Sequence, residues 1–410
     1  MENKSPVGPG MYGLPHKVEF CSECVISNQK PISSIESQHS VNHQKKTTTF
    51  TNGVCDACRW AEAKKTSVDW QQREEELQAL CDMYRKKNGE HDVIVPASGG
   101  KDSRYVSHLL KHKYQMNPLT VTWRPHLFTQ IGLDNFFSLI DTGFANVMVS
   151  PPGDVQRKLT RLAFKNLGHP FQPFIVGQRS VGPKLALQTN IKLVFYGENV
   201  AEYGNRIEDN YSPLMDARLY TCFDFHKHNL EKYILAGETL AAIVSEHEIS
   251  LRDLESYKSP SLSEVETAGI QVHYMSYYRK WVPQENYYYA VENTNFVPNS
   301  GRKSGSFAKY AGIDDQLEDL HFYMQLIKFG MGRCTWDAAQ EVRTGKLERH
   351  EAVSLVRKYD CEAPTEHLDA LLDYLSFSEQ EFWETVDSFR PRHLWTKDAS
   401  GQYSLTEPVS

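Results

Sequence analysis

The chain has no apolar run approaching the roughly 18 residues that a bilayer-crossing helix needs, so no membrane span is expected. Its opening stretch, MENKSPVGPGMYGLPHK, lacks the apolar segment of a secretory signal and reads as a flexible tail over residues 1–17. Positive charge is also in short supply. The 45 Lys and Arg residues stand against 52 Asp and Glu, a net charge of −7. That balance argues against a dedicated nucleic-acid binder, which shows a basic footprint. There is no internal repeat and no long low-complexity tract. The expectation is a cytoplasmic protein with no nucleic-acid partner.

What is present is ample material for a core. Hydrophobic residues make up 40% and aromatics 11% of 410 residues, a length that predicts two to three domains. Of eight cysteines, four form two C-x-x-C pairs, Cys21/Cys24 and Cys55/Cys58. Two thiolates on one tight turn can share a tetrahedral Zn²⁺, and two such turns close its shell. The pairs therefore predict a structural zinc module over residues 18–66. A redox pair or an iron–sulfur cluster would use the same ligands. Cys81, Cys222, Cys334 and Cys361 follow no pattern and read as ordinary thiols.

Between residues 67 and 298, apolar β-rich runs alternate with helical patterns. Strands are expected at 92–97, 119–123, 146–149, 191–196 and 272–276, and helices at 69–86, 102–112, 134–142 and within 154–190. That alternation predicts an α/β fold with a parallel sheet. Residues 299–410 read as a helical C-terminal region, with a capping box at Ser378–Glu381.

The segment Ser98-Gly99-Gly100-Lys101-Asp102-Ser103 lies between an expected strand and an expected helix. Two glycines let successive N–H groups form one anion-binding concavity, and the helix N-terminus adds its positive end. Ser98 and Ser103 supply hydroxyls, Lys101 a charge, and Asp102 a Mg²⁺ ligand or a helix cap. The segment departs from the Walker pattern. A second segment, Gly197-Glu198-Asn199 through Glu202-Tyr203-Gly204-Asn205, follows another strand. On one helical turn Glu198 and Glu202 would face one ligand; a solvated acidic turn is the alternative.

SGGKDS after a strand resembles the signature of the PP-loop ATP pyrophosphatases. The resemblance implies a Rossmann-like fold of the adenine-nucleotide α-hydrolase type. It also implies ATP and Mg²⁺ as cofactors, with nucleotide contacts at Ser98–Ser103, Gly197, Glu198 and Glu202. Lys101, Asp102 and Ser103 would be catalytic, and Asp102 and Glu202 would bind Mg²⁺, with Glu198 next in line. The cysteine pairs, SGGKDS, GEN…EYGN, Pro283–Tyr289, Gly305–Tyr310 and Ile327–Arg333 occur in an order similar to the N-acetyl sugar amidotransferases of surface-polysaccharide (LPS, O-antigen) biosynthesis. That resemblance, over about residues 19–397, implies ATP-dependent conversion of an acetamido to an acetamidino group on a nucleotide-activated N-acetyl sugar. Two departures stand out: a longer cysteine insert, and GSFAKY where the family usually reads GTYSKY.

Ammonia must come from elsewhere, because no cysteine sits in a glutaminase pattern. The expected partner is a separate glutaminase subunit. The Gly/Ser-rich basic stretch Ser300–Ser306 suggests Arg302, Lys303 and Lys309 as diphosphate contacts, with Arg333 beside them; a solvated loop and a helix-capping loop are the bland readings. Two other classes compete: a tRNA-thiolating PP-loop enzyme, and a non-catalytic nucleotide-binding protein.

Overall fold

A computed structural model describes residues 11–40 and 42–410. Residues 1–10 of the expected tail lie outside the described residues, while Tyr12 and Leu14 are buried in the core.

Five strands form one parallel sheet: β1 (Val93–Pro96), β2 (Pro118–Trp123), β3 (Ala145–Val149), β4 (Leu193–Tyr196) and β5 (Gln271–Tyr274). Their spatial order is β3-β2-β1-β4-β5. Val93 of β1 pairs with Pro118 on one side and Leu193 on the other. The chain thus leaves β1 for one flank, returns, and builds the other flank from β4. The crevice beyond the carboxyl ends of β1 and β4 is the switch point where such sheets receive ligands. Buried β1 and β4 read as apolar runs, and β2 as one interrupted by Thr120 and Thr122, because helices cover both faces.

Before the sheet come α1 (Asp56–Thr66) and α2 (Trp70–Tyr84). The crossovers are α3 (Lys101–His108), α4 (Gln130–Asp141), α5 (Gly153–Leu167) and α6 (Gln172–Thr189). One face of the sheet buries Ile94, Val121 and Trp123 against α5 and α6. The other buries Val93, Val95, Leu193 and Phe195 against α2 and α3. Gly177 lets α6 lie directly on β2: a Cβ there would stand 2.2 Å from the Trp123 ring. Then follow α7 (Pro283–Thr294), α8 (Glu318–Phe329), α9 (Arg333–Arg343), α10 (Arg349–Tyr359), α11 (Leu368–Leu375) and α12 (Glu379–Ser388). The Ser378 capping box is formed.

Among the elements not read from the sequence are α1, α7, and a terminal ribbon pairing Trp395–Lys397 with Tyr403–Leu405. The cysteine segment and the C-terminal helices share one core, in which Cys21, Cys24, Cys55 and Cys58 meet Leu317, Met324, Ile327 and Cys334. Among the described residues, no helix is long and apolar enough to cross a membrane.

Candidate active site and metal centre

The phosphate-loop candidate sits at the switch point. β1 ends at Pro96, and α3 starts at Lys101 with Gly100 as its N-cap. The first backbone bond of α3 runs from Arg104 N–H to Gly100 O at 3.1 Å. The first-turn N–H groups of Lys101, Asp102 and Ser103 therefore have no intrahelical partner. Gly99 adopts φ +93°, and a Cβ there would lie 2.9 Å from the backbone of Phe136 in α4. Only glycine meets both demands.

Arg104 was not singled out by the sequence, yet it shapes the loop. Fully buried, it donates from Nε to Gly99 O at 2.8 Å and from its other nitrogens to Thr294 O and Asn135 O. One guanidinium thus ties the loop to α7 and α4. Its identity as a clamp depends on three distant carbonyls, which no local motif displays.

Lys101 and Asp102 are in contact through Nζ and Oδ2, and Asn286 of α7 donates to Asp102 Oδ1 at 3.2 Å. Glu198 faces the same space and accepts from Tyr203 Oη at 2.9 Å. Burial, and then the Asp102 charge, raise its carboxyl pKa against the opposing pull of Lys101. Two nearby carboxylates in a desolvated pocket form an oxygen donor set suited to a hard divalent cation.

Glu202 is a correction. It does not face the cavity but points to α1, where Trp60 Nε1 donates to it at 2.9 Å and Lys64 Nζ at 2.5 Å. The reason is local. Glu198 precedes Asn199, which caps a tight turn over Val200–Tyr203, so the two glutamates are not on one helix. Helical i,i+4 facing does not apply to them.

The basic candidates separate in the same way. Arg302 forms a two-pronged pair with Glu362, both bonds 2.7 Å. Lys303 is buried against Asp319 at 2.8 Å, and Lys309 is exposed. None of the three lines the cavity, which corrects the diphosphate assignment for Ser300–Ser306. Arg333 does line it, bonded to Asp337 at 3.0 Å and Glu318 at 3.2 Å.

The cavity holds about 640 Å³. Also unread from the sequence is an acidic wall: Glu318, Asp337 and Glu341 line the space, and Asp314 lies against Ser98 of the loop. Burial pushes the Glu318 carboxyl up to about 7 despite Lys303 and Arg333, and raises Asp314 and Glu341 as well. Tyr310 stacks on Tyr287 with ring centroids 4.3 Å apart, and its hydroxyl donates to Glu341 at 3.0 Å.

The four C-x-x-C cysteines converge. All are buried, and their Sγ atoms lie within 4.8 Å of one another. Cys21 and Cys58 are 3.9 Å apart and Cys24 and Cys55 3.8 Å. A tetrahedron with Zn–S bonds of about 2.3 Å has edges of about 3.8 Å. The four residues fit a zinc ion, which would supply a cross-link rather than chemistry because all four positions come from protein. Cys58 lies in the first turn of α1, and Arg349 of α10 donates to the Cys21 and Cys24 carbonyls at 3.3 and 3.2 Å.

Residues 304–409 match the family model of the "LPS biosynthesis protein WbpG-like, C-terminal domain". That segment is similar to the WbpG-like C-terminal domain. It supplies Glu318, Arg333, Asp337 and Glu341 to the cavity. No curated protein matches the chain. Among solved structures, an NH3-dependent NAD synthetase from Campylobacter jejuni subsp. jejuni NCTC 11168, in complex with the nitrate ion, is similar at 17% identity. It covers 49% of this chain and 92% of that chain, with a TM-score of 0.26.

Proposed function

We propose that the protein is an ATP-dependent amidotransferase of LPS or related glycan biosynthesis. Its substrate would be a nucleotide-activated N-acetyl sugar. The acetamido oxygen attacks the α-phosphorus of ATP, and pyrophosphate leaves. Ammonia adds to the resulting imidate carbon and loses a proton, AMP departs, and an acetamidino sugar remains. An amide carbonyl is a poor electrophile, and the adenylyl group turns its oxygen into a leaving group.

One observation carries this reading: a single cavity joins the SGGKDS loop to a wall supplied by the WbpG-like domain. The free N–H groups of the α3 first turn and Lys101 would hold the departing pyrophosphate. Ser98 and Ser103 would add hydroxyl donors, and Gly99 and Gly100 allow the phosphates close approach. Gly197 packs on Trp281, where a Cβ would stand 2.9 Å from the ring, so glycine lets the chain leave β4 beside the cavity. Asp102 and Glu198 would hold a Mg²⁺ ion, which when bound neutralises phosphate charge. Arg333 and Arg179 are cavity-lining cations that would meet the sugar nucleotide.

Ammonia would arrive from a separate glutaminase. Burial raises the pKa of the remaining thiols, Cys81, Cys222, Cys334 and Cys361, with Cys81 at about 12, which suits none of them to nucleophilic catalysis. The test mixes protein, Mg-ATP and ammonium with UDP- and CMP-linked acetamido sugars, and reads AMP together with sugar mass. AMP plus a sugar in which NH replaces oxygen is the expected result. A thiolated tRNA product, or nucleotide binding without AMP under any acceptor or added glutaminase, would overturn the assignment.

A further inference from the structure

Away from the cysteine cluster and the cavity, a third set of ligand atoms converges. Glu36 lies on the single turn Glu36–Gln38 and His39 caps it, which brings both side chains to one face. His169 comes from the connection between α5 and α6. One carboxylate oxygen of Glu36 and one ring nitrogen each of His39 and His169 lie within 4.8 Å of one another. Glu36 and His39 are buried and His169 is half-buried.

The spacing suits ligands better than hydrogen bonds. His39 Nδ1 stands 3.5 Å from Glu36 Oε2, at the limit for a hydrogen bond. A tetrahedral ion with bonds of about 2.0–2.1 Å places its N and O ligands about 3.4 Å apart. Among the described residues, the hydrogen bonds of His169 are made by its backbone. Its ring stacks on His321, with centroids 5.1 Å apart. The turn is held from behind, where Gln172 Nε2 donates to the Glu36 backbone carbonyl at 2.9 Å, and Arg179 Nη1 faces Oε1, the other carboxylate oxygen, as an ion pair at 3.7 Å. Two further cations are near, but each is turned to an oxygen of its own: Lys45 to Ser34 Oγ at 2.8 Å, and Lys328 to Leu167 O at 2.6 Å.

We propose that Glu36, His39 and His169 form a second metal site, for a divalent ion of the zinc class. Two imidazoles and one carboxylate give three protein ligands, and water takes the open fourth position. No fourth His, Cys, Asp or Glu joins the group among the described residues. The site fastens the insert between the cysteine pairs to the helical layer of the sheet. It also sits directly behind the cavity, because Arg179 and His321 both line that space.

The test counts metal in full-length protein after equilibrium dialysis against zinc, for wild type, Glu36→Gln and His169→Gln. Each variant is expected to hold one equivalent fewer than wild type. Equal counts in all three would overturn the site. Circular dichroism and melting curves establish that the variants fold. Should either misfold, Co²⁺-exchanged wild type decides. Two bound Co²⁺ per chain, the second adding d–d bands with no further thiolate charge transfer, support the site, and a single Co²⁺ with thiolate charge transfer overturns it.

Discussion

The two walls of the cavity are built on opposite principles. The sheet wall offers unpaired backbone N–H groups, two glycines and Lys101 from one contiguous stretch. The helical wall offers Glu318, Asp337 and Glu341 from two helices, around Arg333. Phosphates belong on the first wall, where fixed dipoles and a cation converge. Away from Arg333, the carboxylates of the second wall disfavour phosphate and, on the proposed reaction, would favour a neutral or cationic group such as incoming ammonia. On the proposed reaction, one chain would separate electrophile from nucleophile by charge.

Breaking this contrast should give graded effects. The largest is expected behind the sheet wall. Glu202→Gln leaves Lys64 buried without its anion, and breaking a buried pair from one side costs about 3–5 kcal/mol. Denaturant unfolding should show that loss. An unchanged midpoint with altered Mg²⁺ dependence would return Glu202 to the cavity. Next comes Lys101→Ala, expected to lower AMP formation about 10²–10³-fold while melting temperature and zinc content hold. Full activity in that variant would remove the loop from the chemistry.

A smaller effect sharpens the acidic wall. The Glu318 carboxyl lies at about 7, so raising pH from 6 to 8 converts a mostly neutral group into an anion. Added negative charge opposite the loop should weaken ATP binding over that window. Calorimetric titration of ATP should show the loss in wild type and its absence in Glu318→Gln. A pH dependence that persists in the variant would exonerate Glu318. The smallest effect is assigned to Arg302→Ala. Its pair with Glu362 is partly exposed and lies off the cavity, so stability should fall by about 1 kcal/mol or less, with substrate KM unchanged. A several-fold rise in KM would restore Arg302 as a substrate contact.

The sheet, its order-setting crossovers and the loop were legible because their signals are local. Apolar runs mark buried strands, and SGGKDS occupies six successive positions. Glu198 and Glu202 were misordered because facing was assumed from helical spacing, while the chain is extended at Asn199 and turns only after it. Arg302 and Lys303 looked unpaired because no acid stands near them in sequence. Their partners, Glu362 and Asp319, arrive through the fold. Arg104 and the acidic wall were invisible for the same reason: each depends on groups from separate helices, and on any one helix they read as an ordinary polar face.

The core shared by the cysteine segment and the C-terminal helices has a consequence in time. Cys21–Cys58 emerge early in synthesis, but their apolar partners extend as far as Trp395 and Val409. At about 5–20 residues per second, the ribosome needs tens of seconds to deliver the second half of that core. A metal bound early would hold the cysteine knuckles in shape through that wait. Their uncovered face would meanwhile be a site for chaperones, and a late truncation would damage the first segment made as much as the last.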